Sequence, residues 1–131
     1  MARTERDVEA YLQALGKSFD RLEDGTYVVH RGEEAPTALR IQGALLVARL
    51  FIGDAPRGKP ETEANVYRRL LQLNASELVY SSYGLENGHI VLSAALELEN
   101  LDLNELEAVL GDIDLALARH LAELRDLCKD A

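Results

Sequence analysis

Apolar residues recur along much of this chain at the spacing of one helical turn, so that they share one face of a helix. Such stripes follow the capping residues Thr4 and Asp102, and another begins after a loop rich in Gly and Pro. The last stripe contains Gly111, where we expect a kink or a close backbone contact, because glycine destabilises a helix interior. The spacing predicts three helices, over residues 4–15, 61–74 and 103–128, with Gly16 and Asn74 ending the first two.

Between these helices, short apolar runs alternate with turn residues, which is typical of strands. The last two runs flank Asn87 and Gly88, a dipeptide that favours a hairpin turn, so we expect them to pair. The predicted strands cover residues 27–31, 38–42, 45–52, 78–83 and 89–96. The order α-β-β-β-α-β-β-α with short connections predicts an α+β fold, with an antiparallel sheet of about five strands and three helices.

Two of the predicted strands carry apolar residues on both faces, whereas a sheet covered by helices on one face normally has a polar second face. In residues 45–52, Leu46 and Leu50 point one way, while other apolar residues point the opposite way. Either helices of the same chain cover both faces, or a second subunit or partner covers one of them. In the second case the candidate partner or dimer contacts are Leu45, Val47, Phe51 and Val91.

The size and composition of the chain indicate one domain with its own core. It has 131 residues, of which 47% are hydrophobic, so we expect a single domain over residues 1–131. The single cysteine, Cys128, excludes an internal disulfide and favours a reducing compartment. No export signal or membrane-length apolar run is visible. We therefore expect a cytoplasmic protein that does not bind membranes.

Charge is distributed unevenly along the chain. The 14 basic and 23 acidic residues give a net charge of −9, and the whole excess lies in residues 61–131. This balance disfavours direct binding of nucleic acid, whose phosphates are also negative. It keeps a protein soluble and steers basic surfaces or flexible basic segments of other proteins toward it.

No recognisable motif brings catalytic or cofactor-binding residue types together. The loop at residues 53–60 lacks the lysine and hydroxyl of a phosphate-binding loop, and His30, His89 and His120 stand in separate elements. Cys128 has no activating base nearby in the sequence. We expect no catalytic residue, metal or cofactor. The acidic cluster near residues 97–114 leaves one alternative open, a small metal-dependent or hydrolytic enzyme.

Turn and packing residues along most of the chain resemble those of the YbjN-like family, whose fold is similar to that of the type III secretion chaperones. The segments that carry the resemblance are LLQLN at 70–74, YGL at 83–85, NG at 87–88, IVL at 90–92 and LNEL at 103–106. The resemblance implies a bacterial α+β domain, usually a homodimer, that binds other proteins without chemistry. We therefore expect a noncatalytic interaction module, chaperone-like or an adaptor, that binds a partner protein through an apolar sheet or helix surface with acidic steering.

Overall fold

A computed structural model describes residues 2–129, in which three helices lie against a six-stranded antiparallel sheet. The helices are α1 (Glu5–Ala14), α2 (Pro60–Ser76) and α3 (Leu103–Lys129). The strands are β1 (Phe19–Arg21), β2 (Tyr27–Arg31), β3 (Glu34–Gln42), β4 (Leu45–Asp54), β5 (Ser82–Glu86) and β6 (His89–Glu97). Their order in the sheet is β1-β2-β3-β4-β6-β5. The predicted α+β class is confirmed, as are its three helices.

The sheet has six strands rather than the five predicted. The additional strand, β1, has only three residues, too few to show the alternation that marks a strand in sequence. It forms because it pairs with β2, and Phe19 lies opposite Val29 in that pair. The Phe19 ring also meets the Tyr27 ring edge to face, with centroids 5.7 Å apart. Strand β1 therefore depends on tertiary contacts.

The strand predicted at residues 78–83 begins later, at Ser82. The carboxylate of Asp112, on α3, accepts hydrogen bonds from the backbone N–H groups of Val79, Tyr80 and Ser81 at 3.4, 3.1 and 3.1 Å. The Ser81 hydroxyl donates to the same carboxylate at 2.7 Å. The backbone N–H groups of this segment therefore hydrogen-bond to a side chain of a helix instead of to a neighbouring strand. The hairpin that follows turns at Asn87 and Gly88 as predicted, both with positive φ.

Asn74 does not end α2, which continues to Ser76. Its side-chain amide donates to the Tyr83 carbonyl at 3.0 Å and accepts from the Tyr83 N–H at 2.7 Å. Strand β5 is the last strand of the sheet, so these two backbone groups have no partner strand. Asn74 takes the place of that strand and ties α2 to the edge of the sheet.

The core lies between the helices and one face of the sheet. Leu46, Leu50 and Leu92 point into it, each no more than 2% exposed. At one end of the sheet, the Tyr27 hydroxyl donates to the Glu5 carbonyl of α1. The helices contribute the buried residues Val8, Leu12, Val66, Leu70, Leu73, Leu106, Ile113, Leu117 and Leu124. No helix within residues 2–129 is long and apolar enough to span a membrane.

The helices within residues 2–129 do not cover both faces of the sheet, so this explanation of the two-sided apolar strands is wrong. Inner-face residues from both ends of the sheet reach the helices: Arg31 pairs with Asp114 of α3 at 2.7 Å, and Tyr83 contacts His120 of the same helix. On the opposite face, Phe51 remains 50% exposed. The helices therefore pack on one face only.

A buried polar pair joins α3 to β5. The Tyr83 hydroxyl and His120 Nδ1 share a hydrogen bond of 3.0 Å, and the two residues are 5% and 4% exposed. Burial raises the pKa of Tyr83 to about 12. Burial also lowers the pKa of His120 from its usual 6.5, against a smaller opposing effect of the Glu77 carboxylate. The folded state therefore holds His120 neutral.

Helix α3 continues through Gly111, and a Cβ atom built at this residue would meet nothing within 4 Å. The expected close backbone contact is therefore wrong. We predict that Gly111→Ala raises the free energy of unfolding by about 0.5 to 1 kcal/mol, because alanine loses less backbone freedom in a helix. Urea denaturation measures the change. As a control, Gly43→Ala should destabilise the protein, because Gly43 has a φ of +59°. Equal effects of the two substitutions would contradict this interpretation.

Stability should fall as the pH drops below 6.5 because of His120. The unfolded chain binds a proton on this imidazole near pH 6.5, whereas the folded protein binds it only at lower pH, so acid favours unfolding in that window. We expect His120→Asn, which retains a hydrogen-bond acceptor for Tyr83, to lose less stability than the wild type between pH 7.5 and 5.5. Urea denaturation at both pH values gives the comparison. The other two histidines are present in both proteins, so equal losses would show that His120 is not responsible.

Candidate interaction surface

No element within residues 2–129 covers the sheet face that points away from the helices. We call it the outer face and define it by alternate residues of β3, β4 and β6: Ala38, Arg40, Leu45, Val47, Arg49, Phe51, Val91, Ser93 and Ala95. Leu45 and Phe51 are 39% and 50% exposed, and Val47 and Val91 are partly buried. The four candidate contacts predicted from the sequence therefore lie on one face.

The register of the strands places the apolar residues of the outer face side by side. Phe51 lies opposite Val91, and Val47 lies opposite Ala95. On the other side of Val91, strand β5 contributes Gly84, which has no side chain. Cross-strand neighbours on one face of a sheet are close enough to contact each other. The result is an apolar band across β4 and β6, open to water on its Gly84 flank.

One end of this band is held by a histidine. The His89 ring meets the Phe51 ring edge to face, with centroids 4.9 Å apart, and His89 Nδ1 lies 2.8 Å from a carboxylate oxygen of Asp54. These contacts orient Phe51 while leaving half of its surface exposed. The Phe51 ring is therefore an oriented, half-exposed apolar side chain on the outer face.

The outer face also carries two arginines on neighbouring strands. Arg49 pairs with Glu86 of β5 at 3.0 Å. The side chain of Arg40 has no ion pair or hydrogen bond within the described part of the chain, and it lies near Asp24, whose carboxylate accepts from the Thr26 N–H. Both arginines line a groove of about 200 Å³, whose lining residues are Thr26, Ala38, Arg40, Gln42, Val47 and Arg49.

A second group of exposed apolar residues was not predicted from the sequence. We call it the edge patch and define it as Leu71, Val79, Tyr80 and Leu85, which are 70%, 77%, 53% and 51% exposed. The sequence pattern predicts a strand over residues 78–83. The buried stripe of α2 is Val66, Leu70 and Leu73, and Leu71 projects about 100° away from Leu70. The position of Leu71 outside this buried stripe is the feature of the sequence that indicates its exposure.

Backbone groups at the sheet edge lie beside this patch. Because Asn74 binds the N–H and C=O of Tyr83, those groups point away from β6. Backbone groups alternate in direction along an antiparallel strand, so the N–H and C=O of Leu85 point to the same edge. The edge patch therefore combines apolar side chains with backbone groups able to pair with another strand.

Acidic residues between 97 and 114 make separate contacts instead of forming one site. Asp102 and Glu105 cap α3 reciprocally, through N–H to carboxylate bonds of 2.8 and 3.3 Å. Asp112 holds the segment before β5, and Asp114 pairs with Arg31. No three His, Cys, Asp or Glu side chains within residues 2–129 form a group able to hold a metal ion.

The cysteine also lies apart from these groups. Cys128, near the end of α3, is partly buried against the core. Burial raises the pKa of its thiol, which disfavours the nucleophilic thiolate at neutral pH.

Comparison with known proteins identifies relatives of the same fold. The sequence matches the CesT_Tir_1 family over residues 1–130. No curated protein sequence matches the chain. Among solved structures, YbjN from E. coli is similar with a TM-score of 0.71 and 11% identity, over 96% of this chain and 94% of YbjN.

Two complexes of type III secretion proteins are also similar. A chain of the heterodimeric ExoU-SpcU complex of Pseudomonas aeruginosa matches with a TM-score of 0.69 and 20% identity, over 95% of this chain and 99% of that one. A chain from the complex of the Yersinia pestis type III secretion chaperone SycH with a stable fragment of YscM2 matches with a TM-score of 0.58 and 19% identity, over 87% of this chain and 97% of that one. These findings confirm the resemblance predicted from the sequence, and the chain belongs to the CesT_Tir_1 family.

Proposed function

We propose that this protein is a noncatalytic chaperone or adaptor of the bacterial cytoplasm that binds a segment of a partner protein on its outer face. The observation that carries the proposal is an uncovered sheet face with an ordered apolar band, in which Phe51 is 50% exposed. Family membership supports a protein-binding role, and the similar SycH structure contains a fragment of another protein.

The energetic reason for binding at this face is the removal of apolar surface from water. Full burial of a side chain such as Phe or Leu contributes about 1.5 to 3 kcal/mol, and Phe51 and Leu45 are only about half buried in the free chain. Covering both contributes about 2 kcal/mol in all, before the neighbouring valines are counted. Phe51 is already oriented by His89, so little side-chain freedom is lost on binding.

Acidic residues on the helical side would act at longer range. Helix α3 carries more acidic than basic side chains, and it lies on the face of the sheet opposite the outer face. Such a field attracts basic regions of a partner and raises the rate of encounter, while the apolar band determines how long the complex lasts. The two effects come from opposite sides of the molecule.

We further propose that the protein forms a homodimer through the edge patch. Pairing of two β5 edges about a twofold axis would give the N–H and C=O of Leu85 partners in the second copy. The same contact would cover Leu71 and Leu85, which are 70% and 51% exposed. This arrangement would leave the outer face free for the partner protein.

Partner binding is tested by capture of the tagged protein from lysate of its native host. We expect the wild type to retain a stoichiometric protein partner and the double variant Val47→Asp, Phe51→Asp to lose it, because charges on the apolar band oppose its burial. Leu115→Asp is the matched control, since Leu115 on α3 is also 50% exposed. Mass spectrometry against a mock capture measures retention. A partner that is retained equally by both variants would contradict binding at the outer face.

Self-association is tested by light scattering after size-exclusion chromatography. We expect the wild type to have twice the mass of the 14.5 kDa chain and Leu85→Asp to have the mass of one chain. Phe51→Asp introduces the same charge at an equally exposed position and should leave the dimer intact. A monomeric wild type, or dissociation caused equally by both substitutions, would exclude the edge patch as the interface.

A further inference from the structure

We infer that the partner segment bound on the outer face carries an acidic side chain next to an apolar one, and that Arg40 and Arg49 bind its carboxylate. The inference rests on the proposed function, because it names the chemistry of the segment held there. The net charge of −9 would by itself favour a basic segment, so this inference differs from what the total charge indicates.

The strand register brings the two arginines onto one groove. Arg49 lies opposite Ala38, and Arg40 lies opposite Val47, so the two arginines occupy diagonal positions on adjacent strands of the same face. Both line the groove of about 200 Å³. Two like charges on one groove repel each other, and an anion placed between them removes that repulsion.

Each of the two arginines has one acidic side chain nearby. Glu86 pairs with Arg49 from β5, and both side chains are about half exposed, so the contact is an exchangeable surface pair. The charge of Arg40 helps to lower the pKa of the Asp24 carboxyl without a hydrogen bond between the two, and Asp24 accepts a hydrogen bond from the Thr26 N–H. Arg40 therefore retains its donors for an incoming carboxylate, and a guanidinium is suited to bind a carboxylate with two parallel hydrogen bonds.

Apolar contacts are available within the same groove. Val47 and Ala38 line it together with the arginines, and Val47 continues into the apolar band toward Phe51. The aliphatic stems of the arginines extend this apolar surface. A segment with an aliphatic or aromatic residue near a Glu or Asp would match both features, whereas a basic segment would face like charge at the groove.

The test uses three fluorescein-labelled peptides of ten residues with identical apolar positions alternating with serine. Two of the serines are replaced by Glu in one peptide and by Lys in another, and the third peptide keeps serine. Fluorescence anisotropy at low salt measures binding to the wild type and to two double variants. Arg40→Gln, Arg49→Gln alters the outer face, while Arg119→Gln, Arg125→Gln makes the same change in net charge on α3, at side chains 57% and 53% exposed.

We expect the wild type to bind the Glu peptide more tightly than the serine peptide, despite the negative net charge of the protein. The outer-face double variant should lose about tenfold in affinity for the Glu peptide and change little for the serine peptide. The α3 double variant should retain most of the affinity for the Glu peptide. Equal losses in the two double variants would show that only net charge matters and would overturn the inference.

Phe51→Asp separates failure of this inference from failure of the proposed function. If Phe51→Asp weakens all three peptides but the arginine variants do not discriminate among them, the outer face binds segments without the proposed acidic preference. If no peptide binds, or if binding does not depend on Phe51, both the inference and binding of extended segments at the outer face are wrong. Preferred binding of the Lys peptide in a Phe51-dependent manner would also overturn the inference.

Discussion

The packing of α1, α2 and α3 on a single face of the sheet places the central strands between a dry core and water. Leu46, Leu50 and Leu92 are buried by this arrangement, whereas Leu45 and Phe51 on the central strand β4 remain exposed. A central strand with apolar residues on both faces is typical of a sheet covered on both sides. The outer face, the groove and the proposed partner site all follow from the absence of a second layer within the described chain.

Polar side chains maintain this one-sided arrangement at the edge of the sheet. Asn74 supplies β5 with the hydrogen bonds that a further strand would provide, and Asp112 does the same for the segment before it. The buried Tyr83 and His120 then join that strand to α3. The bonds made by Ser81, Tyr83 and His120 satisfy buried or partly buried groups that would be costly to leave unpaired, so they help to determine where β5 begins and how α2 and α3 approach it.

The net charge of the whole chain and the charged side chains of one surface affect binding in different ways. The acidic excess describes the long-range field, to which the residues of α3 contribute and which is screened over about 10 Å at ordinary salt. Binding at contact distance depends instead on the side chains that meet the partner. On the outer face Arg40 and Arg49 lie beside an apolar band, with Asp24 and Glu86 nearby, so the net charge of the chain does not describe the local chemistry.

The sequence by itself determined the α+β class, three helices, five of the six strands and the shared face of Leu45, Val47 and Phe51 on β4, because these follow from local periodicity and turn chemistry. Only the tertiary structure decided that β1 exists, that β5 begins at Ser82 and that Asn74 lies inside a helix. It also decided which apolar face remains uncovered and that Arg40 and Arg49 share a groove. Periodicity reports which side chains share a face, whereas burial and charge pairing depend on residues distant in the sequence that folding brings into contact.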